Sequence, residues 1–173
     1  TFLITAMAVF MAALDNLVVT TALPVIRADF NASLFELEWM VNAYTLTFAV
    51  LLLTGAALGD RFGRKRLFIA GLALFTAGSA LAALSGTSSE LIVARAIQGV
   101  GCAIVTPLSL TILSAAVSPE RRAVALGAWG GIAGLAIAVG PLVGGAIAEG
   151  LDWQWIFWLN VPIGLIAIPL AFF

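Results

Sequence analysis

Six apolar runs follow one another along the chain, each close to the roughly 20 residues a helix needs to cross a bilayer, with only short connections between them. They cover residues 1–26, 37–59, 67–84, 91–114, 123–148 and 155–173. A segment lying in hydrocarbon must close its backbone hydrogen bonds within itself, and a helix does this. The short connections make successive helices antiparallel neighbours. Residues 1–173 are therefore expected to form one domain, an all-α polytopic membrane protein built as a six-transmembrane-helix bundle. Charged residues make up only 10% of the chain, against roughly 25% in a soluble domain. Too little polar surface is available to cover such a fold in water.

The stretch GAALGDRFGRKRL, Gly55 to Leu67, holds one acid and four bases between two of these runs. Short basic loops stay on the cytoplasmic side of a membrane. The second and fourth connections hold Arg61, Arg64, Lys65, Arg66, Arg121 and Arg122. The first, third and fifth hold Arg27 as their only base, beside Asp29, Glu36, Glu90, Glu149 and Asp152. This asymmetry predicts a cytoplasmic N-terminus, with those three connections outside. Trp39, Trp153, Trp155 and Trp158 fall near the outer ends, where amphipathic rings favour the interface. The alternation also permits two inverted sets of three helices, although residues 1–84 and 91–173 show no clear identity.

Several classes of function are disfavoured. The net charge of −1 argues against a nucleic-acid partner. Cys102 stands alone, so no internal disulfide and no thiol metal site can be built. There is no His, the commonest general base and metal ligand. No metal site, no cofactor and no enzymatic activity are expected. The chain opens inside an apolar run at Thr1, without an initiator Met, and stops inside another at Phe173. It reads as a piece of a longer protein.

Three features carry chemistry. Asp15 lies 11 residues from the outer end of the first run, roughly 16 Å deep at 1.5 Å per residue. An ionised Asp there costs about 2.5–3.5 kcal/mol on insertion scales, and intramembrane acids are functional by default. It either exchanges a proton as its surroundings open and close, or fastens helices together as a neutral or paired group. Asn16, Thr20 and Thr21 add polar groups to the same helix, expected to face the bundle interior. Arg95 lies one turn into the fourth run and can either snorkel to water or face inward. Gln98, Gly99, Cys102 and Thr106 follow it at helical spacing, a stripe that suits a cavity or a neighbouring helix. Cys102 itself reads as a small packing residue. The fifth run pairs Gly127 with Gly131, Gly130 with Gly134 and Gly140 with Gly144, a spacing that lets helix backbones approach. Pro141 should kink that helix. Packing alone explains the glycines, and a hinge or seal explains them equally well. In the basic stretch, Gly63 allows a tight turn, and Asp60 among four bases suggests a defined charge pair.

Taken in order, five stretches resemble the motifs of one family. These are LDNLVVTTALP at 14–24, LGDRFGRKRLF at 58–68, LIVARAIQGVGCA at 91–103, VGPLVGG at 139–145 and WQWIFWLNVPIG at 153–164. Together they resemble the N-terminal six-helix half of a major facilitator superfamily transporter, a fold of 3+3 inverted repeats. Within the superfamily they look like the fourteen-helix drug–proton antiporter branch. Leu17 and Thr20 depart from the branch's usual Thr and Asn, and Ala56 and Ala136 replace glycines.

The resemblance implies proton coupling through Asp15 and Arg95, with Gln98 and Gly99 lining helix 4 beside them. Gly127, Gly140, Pro141, Gly144 and Gly145 would shape and seal the exchange pathway. Asp60, Arg61, Gly63, Arg64 and Lys65 would latch the cytoplasmic face against a C-terminal half of the same chain. The implied function is proton-driven multidrug export by alternating access in the cytoplasmic membrane, acting on a small-molecule substrate. A metabolite symporter or uniporter on the same fold is the first alternative. A membrane scaffold or sensor without transport is the second.

Overall fold

The computed structural model describes residues 1–172, with the backbone alone at Ala148 and Glu149. The expected end of the last span at Phe173, and the side chains of Ala148 and of the outer-side acid Glu149, lie outside the described residues. The order is α1 Phe2–Phe30, α2 Leu34–Phe62, α3 Arg64–Ala83, α4 Ser88–Ala116, α5 Pro119–Gly150, α6 Trp155–Trp158 and α7 Asn160–Phe172. No strand occurs among the described residues. Six spans are long and apolar enough to cross a membrane, with α6 and α7 together making the sixth.

The first five helices run past most of the expected limits. At 29 residues, α1, α2 and α4 are each about 43 Å long, well beyond a hydrocarbon core of about 30 Å. Their ends therefore reach the headgroups, where Arg27, Asp29, Asp60 and Arg61 can be helical and hydrated together. The expected connection at 27–36 shrinks to residues 31–33. Asn31 closes α1 in the left-handed region at φ 49°, which Asn tolerates. Ser33 then opens α2 through a capping box, its N–H donating to Glu36 Oε2 at 2.8 Å and its hydroxyl accepting from the Glu36 N–H at 3.3 Å. Thr87 caps α4 in a similar way, accepting from the Glu90 N–H at 3.3 Å, and Pro119 occupies the first turn of α5.

The basic stretch is not a loop. α2 continues through Asp60 and Arg61, so Asp60 lies in its last turn and does not open a connection. Only Gly63, at φ 97°, separates α2 from α3. That torsion is open to glycine and strained for residues with a Cβ. The sixth span is divided into α6 and α7 at Leu159, which keeps helical torsions at φ −61° and ψ −32°, so the two pieces continue one span. α5 runs unbroken through Pro141.

In the bundle, α4 packs along both α2 and α3, while α1 packs along α5. α7 lies against α3 and touches α1. Exchanging the first three spans with the last three maps the α2–α4 pair onto the α5–α1 pair, as an inverted repeat requires. One apolar cluster, with Leu14, Val18, Ile26, Leu91 and Phe157, fills the acidic end. A second, with Met11, Phe68, Phe75, Val105 and Leu108, fills the basic end. Along α1 and α4 the changeover falls at Asp15 and Arg95.

Candidate proton-coupling site

α1 and α4 cross the bundle centre, and each places one charged group there. Asp15 is 1% exposed and Arg95 is fully buried, so Arg95 does not snorkel to water. Arg95 Nη1 donates to Asp15 Oδ2. The other oxygen, Oδ1, accepts from Gln98 Nε2 at 3.1 Å and from Asn160 Nδ2 at 2.7 Å. Gln98 in turn donates to Ser79 Oγ at 2.7 Å and accepts from Arg95 Nη1 at 3.0 Å. Arg95 Nε reaches the Met40 carbonyl at 3.2 Å. Gln98, Asn160 and Ser79 are as buried as the pair they serve.

This network is what desolvation demands. A buried ion pair holds only where further hydrogen bonds satisfy the remaining lone pairs and protons. Here α1, α2, α3, α4 and α7 each contribute a group. The guanidinium also lies 4.3 Å from the centroid of the Tyr44 ring and 6.0 Å from that of Phe157, within cation–π range. Its Nη2 has no hydrogen-bond partner among the described residues.

Beside the network lies a cavity of about 390 Å³. α1 lines it with Val9, Ala12 and Asn16, α2 with Tyr44, Thr45 and Phe48, α4 with Cys102 and Thr106, and α5 with Ile137. Its wall is mainly apolar, with a few hydroxyls and the Asn16 amide, a composition typical of small-molecule sites. Tyr44 belongs to both the cavity and the network. Cys102 is buried and sits 3.4 Å from the Thr106 hydroxyl.

The sequence profile of the Major Facilitator Superfamily matches residues 5–173. The chain belongs to the major facilitator superfamily. Its six spans form half of the superfamily fold, and its curated relatives are superfamily members too. It is 39% identical to a tetracenomycin C resistance and export protein of Streptomyces glaucescens, over 97% of this chain and 31% of that protein. It is 43% identical to a methylenomycin A resistance protein of Bacillus subtilis, over 98% of this chain and 37% of the relative. A cephamycin export protein of Amycolatopsis lactamdurans is 42% identical over 94% of this chain and 34% of its own length. The chain thus spans about a third of the length of these superfamily relatives.

The other residues implied by resemblance to the superfamily are placed as follows. Gly99 presses on α2, where an added Cβ would meet Thr47 and the Tyr44 carbonyl, so it lines a helix contact and not the cavity. Gly140 and Gly144 face α1, where a Cβ would meet Leu17 and Thr21. Gly127, Gly130, Gly131, Gly134 and Gly145 have nothing within 4 Å of an added Cβ, and Pro141 is exposed. Close packing therefore accounts for only part of the expected glycine stripe. Asp60 in the last turn of α2 and Arg64 at the start of α3 pair across Gly63, exposed, at 2.8 Å. Lys65 Nζ donates to the Phe172 carbonyl at 2.5 Å, and Arg61 lies 5.4 Å from the Phe62 ring.

Two expectations fail. Thr20 is exposed, its hydroxyl turned back to the Leu17 carbonyl at 2.6 Å, so it does not face the interior of these six spans. Trp153 is 2% exposed, not an interfacial ring. Its Nε1 donates to Asp29 Oδ2 at 2.8 Å, which satisfies the indole and lets the ring pack on Phe30 and Phe157. Asn160, Ser79 and Tyr44 were not foreseen as part of the site. A lone amide inside the last apolar run was the one available signal for Asn160.

Proposed function

We propose that this chain is the N-terminal half of a proton-coupled exporter of small hydrophobic or cationic compounds, working by alternating access. What carries this reading is the buried Asp15–Arg95 pair lying against an apolar cavity built from the same helices. An acid at that depth is costly, and where one is kept it marks an ion or substrate pathway by default. The names of the relatives, which concern resistance and export, favour efflux over uptake. The proton gradient supplies the energy, with no cofactor.

The basic end, with Arg61, Arg64, Lys65, Arg66, Arg121 and Arg122, faces the cytoplasm, and the N-terminus lies there too. The protein resides in the cytoplasmic membrane. α2 and α5 leave most of their length uncovered, and a C-terminal half of the same chain covers part of it. That half completes the cavity wall and meets the Asp60–Lys65 stretch when the cytoplasmic side closes.

The test uses the intact protein in energised inverted vesicles. Adding a transported compound is expected to release protons, and Asp15→Asn to abolish the release while the protein still inserts. Normal export and coupling by that variant would overturn the role of Asp15.

A further inference from the structure

The carboxylate of Asp15 has three side-chain donors, and they are not equivalent. Arg95 and Gln98 sit one turn apart on α4 and are bonded to each other at 3.0 Å. Arg95 is also tied to Met40 on α2, and Gln98 to Ser79 on α3. Neither can leave Asp15 without breaking further buried bonds. Asn160 differs, because its bond to Asp15 Oδ1 is the sole hydrogen bond of its side chain among the described residues. It opens α7, directly after Leu159.

The segment carrying Asn160 is anchored on both sides. Trp153, just before α6, is held by Asp29 near the acidic end of α1. Gly164, one turn beyond Asn160, packs so closely on Thr76 of α3 that a Cβ there would meet it. Asn160 therefore reports whether this last span is docked against α1 and α3.

An ionised carboxylate only accepts hydrogen bonds, and a protonated one must donate one. Gln98 and Asn160 engage both lone pairs of Oδ1, so a proton arriving at that oxygen has to displace an amide. We propose that Asn160 is a positioning residue for proton exchange at Asp15. Its docked amide occupies a lone pair of Oδ1, and its withdrawal opens that oxygen to a proton. This rests on the reading of Asp15 as the coupling acid.

The other titratable groups facing Asp15 are Arg95 and Cys102 from α4 and Tyr44 from α2. The α3 neighbour in the network, Ser79, is uncharged. The charged residues of α5 sit in its first and last turns, and residues 155–172 contain none. Asn160 thus acts on the carboxylate without adding a charge of its own.

The experiment is an infrared pH titration of the protonated-carboxyl band that Asp15→Asn removes, on the purified intact protein in lipid discs. The near-isosteric Asn160→Leu is expected to move the midpoint to higher pH by about 1 unit or more, the scale of one hydrogen bond to a charged group. Asn160→Ala is the companion variant should Asn160→Leu fail to fold. Asn160→Gln, which keeps an amide donor, is expected to restore part of the shift. Ile163→Ala, on the same helix, controls for loosened packing. An unmoved midpoint in a folded Asn160 variant overturns the proposal, as does an equal shift in Ile163→Ala. Substrate-driven proton release by Asp15→Asn judges the coupling reading separately. If release depends on Asp15 but the midpoint ignores Asn160, only the role of Asn160 falls.

Discussion

The Arg95 guanidinium lies 4.3 Å from the ring centre of Tyr44, and that same ring forms part of the cavity wall. A molecule in the cavity and the buried ion pair thus share one aromatic side chain. The Tyr44 hydroxyl adds little, since its bond to the Ala12 carbonyl is long at 3.4 Å. Tyr44→Phe is expected to keep stability and transport near wild type. Tyr44→Leu loses the cation–π contact, worth about 0.5–2 kcal/mol, and should weaken substrate binding and slow substrate-driven proton release. Thermal unfolding and ligand titration of the intact protein check both.

Breaking the central pair on one side leaves a charge with no counter-ion in a site of zero exposure. Asp15→Ala or Arg95→Leu alone is expected to cost about 3–5 kcal/mol. The double variant should cost clearly less than the sum, because it removes both charges. A double-mutant cycle in thermal or denaturant stability measures this, and additive effects would contradict a direct pair.

The glycines of α5 should separate into two groups. At Gly144 an added Cβ would meet Thr21 and come within 3.2 Å of the Val18 carbonyl, whereas at Gly127 it meets nothing among the described residues. Gly144→Val is expected to destabilise by about 1–3 kcal/mol through overpacking. Gly127→Ala should keep or raise stability, since Ala favours a helix over Gly by about 1 kcal/mol. Melting temperatures of the two variants decide it.

Asp60 and Arg64 form an exposed pair across Gly63. Such exposed pairs contribute about 0.2–1 kcal/mol. Asp60→Asn should therefore leave stability and membrane orientation nearly unchanged while lowering turnover of the intact protein. Orientation can be read by labelling introduced cysteines, because Cys102 is buried. Loss of correct insertion would reduce the stretch to a topology signal.

The six spans, the polarity of their ends and the unusual depth of Asp15 were legible along the chain, because each depends on residues near one another in sequence. Asp15 and Arg95 were each visible as costly groups. Their union was not, since 80 residues separate them and their meeting depends on how α1 and α4 cross. Asn160 was harder still, because a single amide in an apolar run has many acceptable neighbours. Trp153 misled for a related reason. Its position near a span end suits an interfacial ring, and only the fold shows that Asp29 satisfies its indole inside. The charged ends of α1 and α2 misled about helix length, since hydropathy marks where hydrocarbon stops and not where hydrogen bonding does.

Gly63 joins a 29-residue helix to a 20-residue one with no slack between them. The joint is an elbow with two torsions. A tilt of about 10° there would carry the far end of α2 through about 7 Å. The length that lets α2 span the bilayer thus makes it a lever arm: a small change of angle at the basic end is a large displacement at the acidic end.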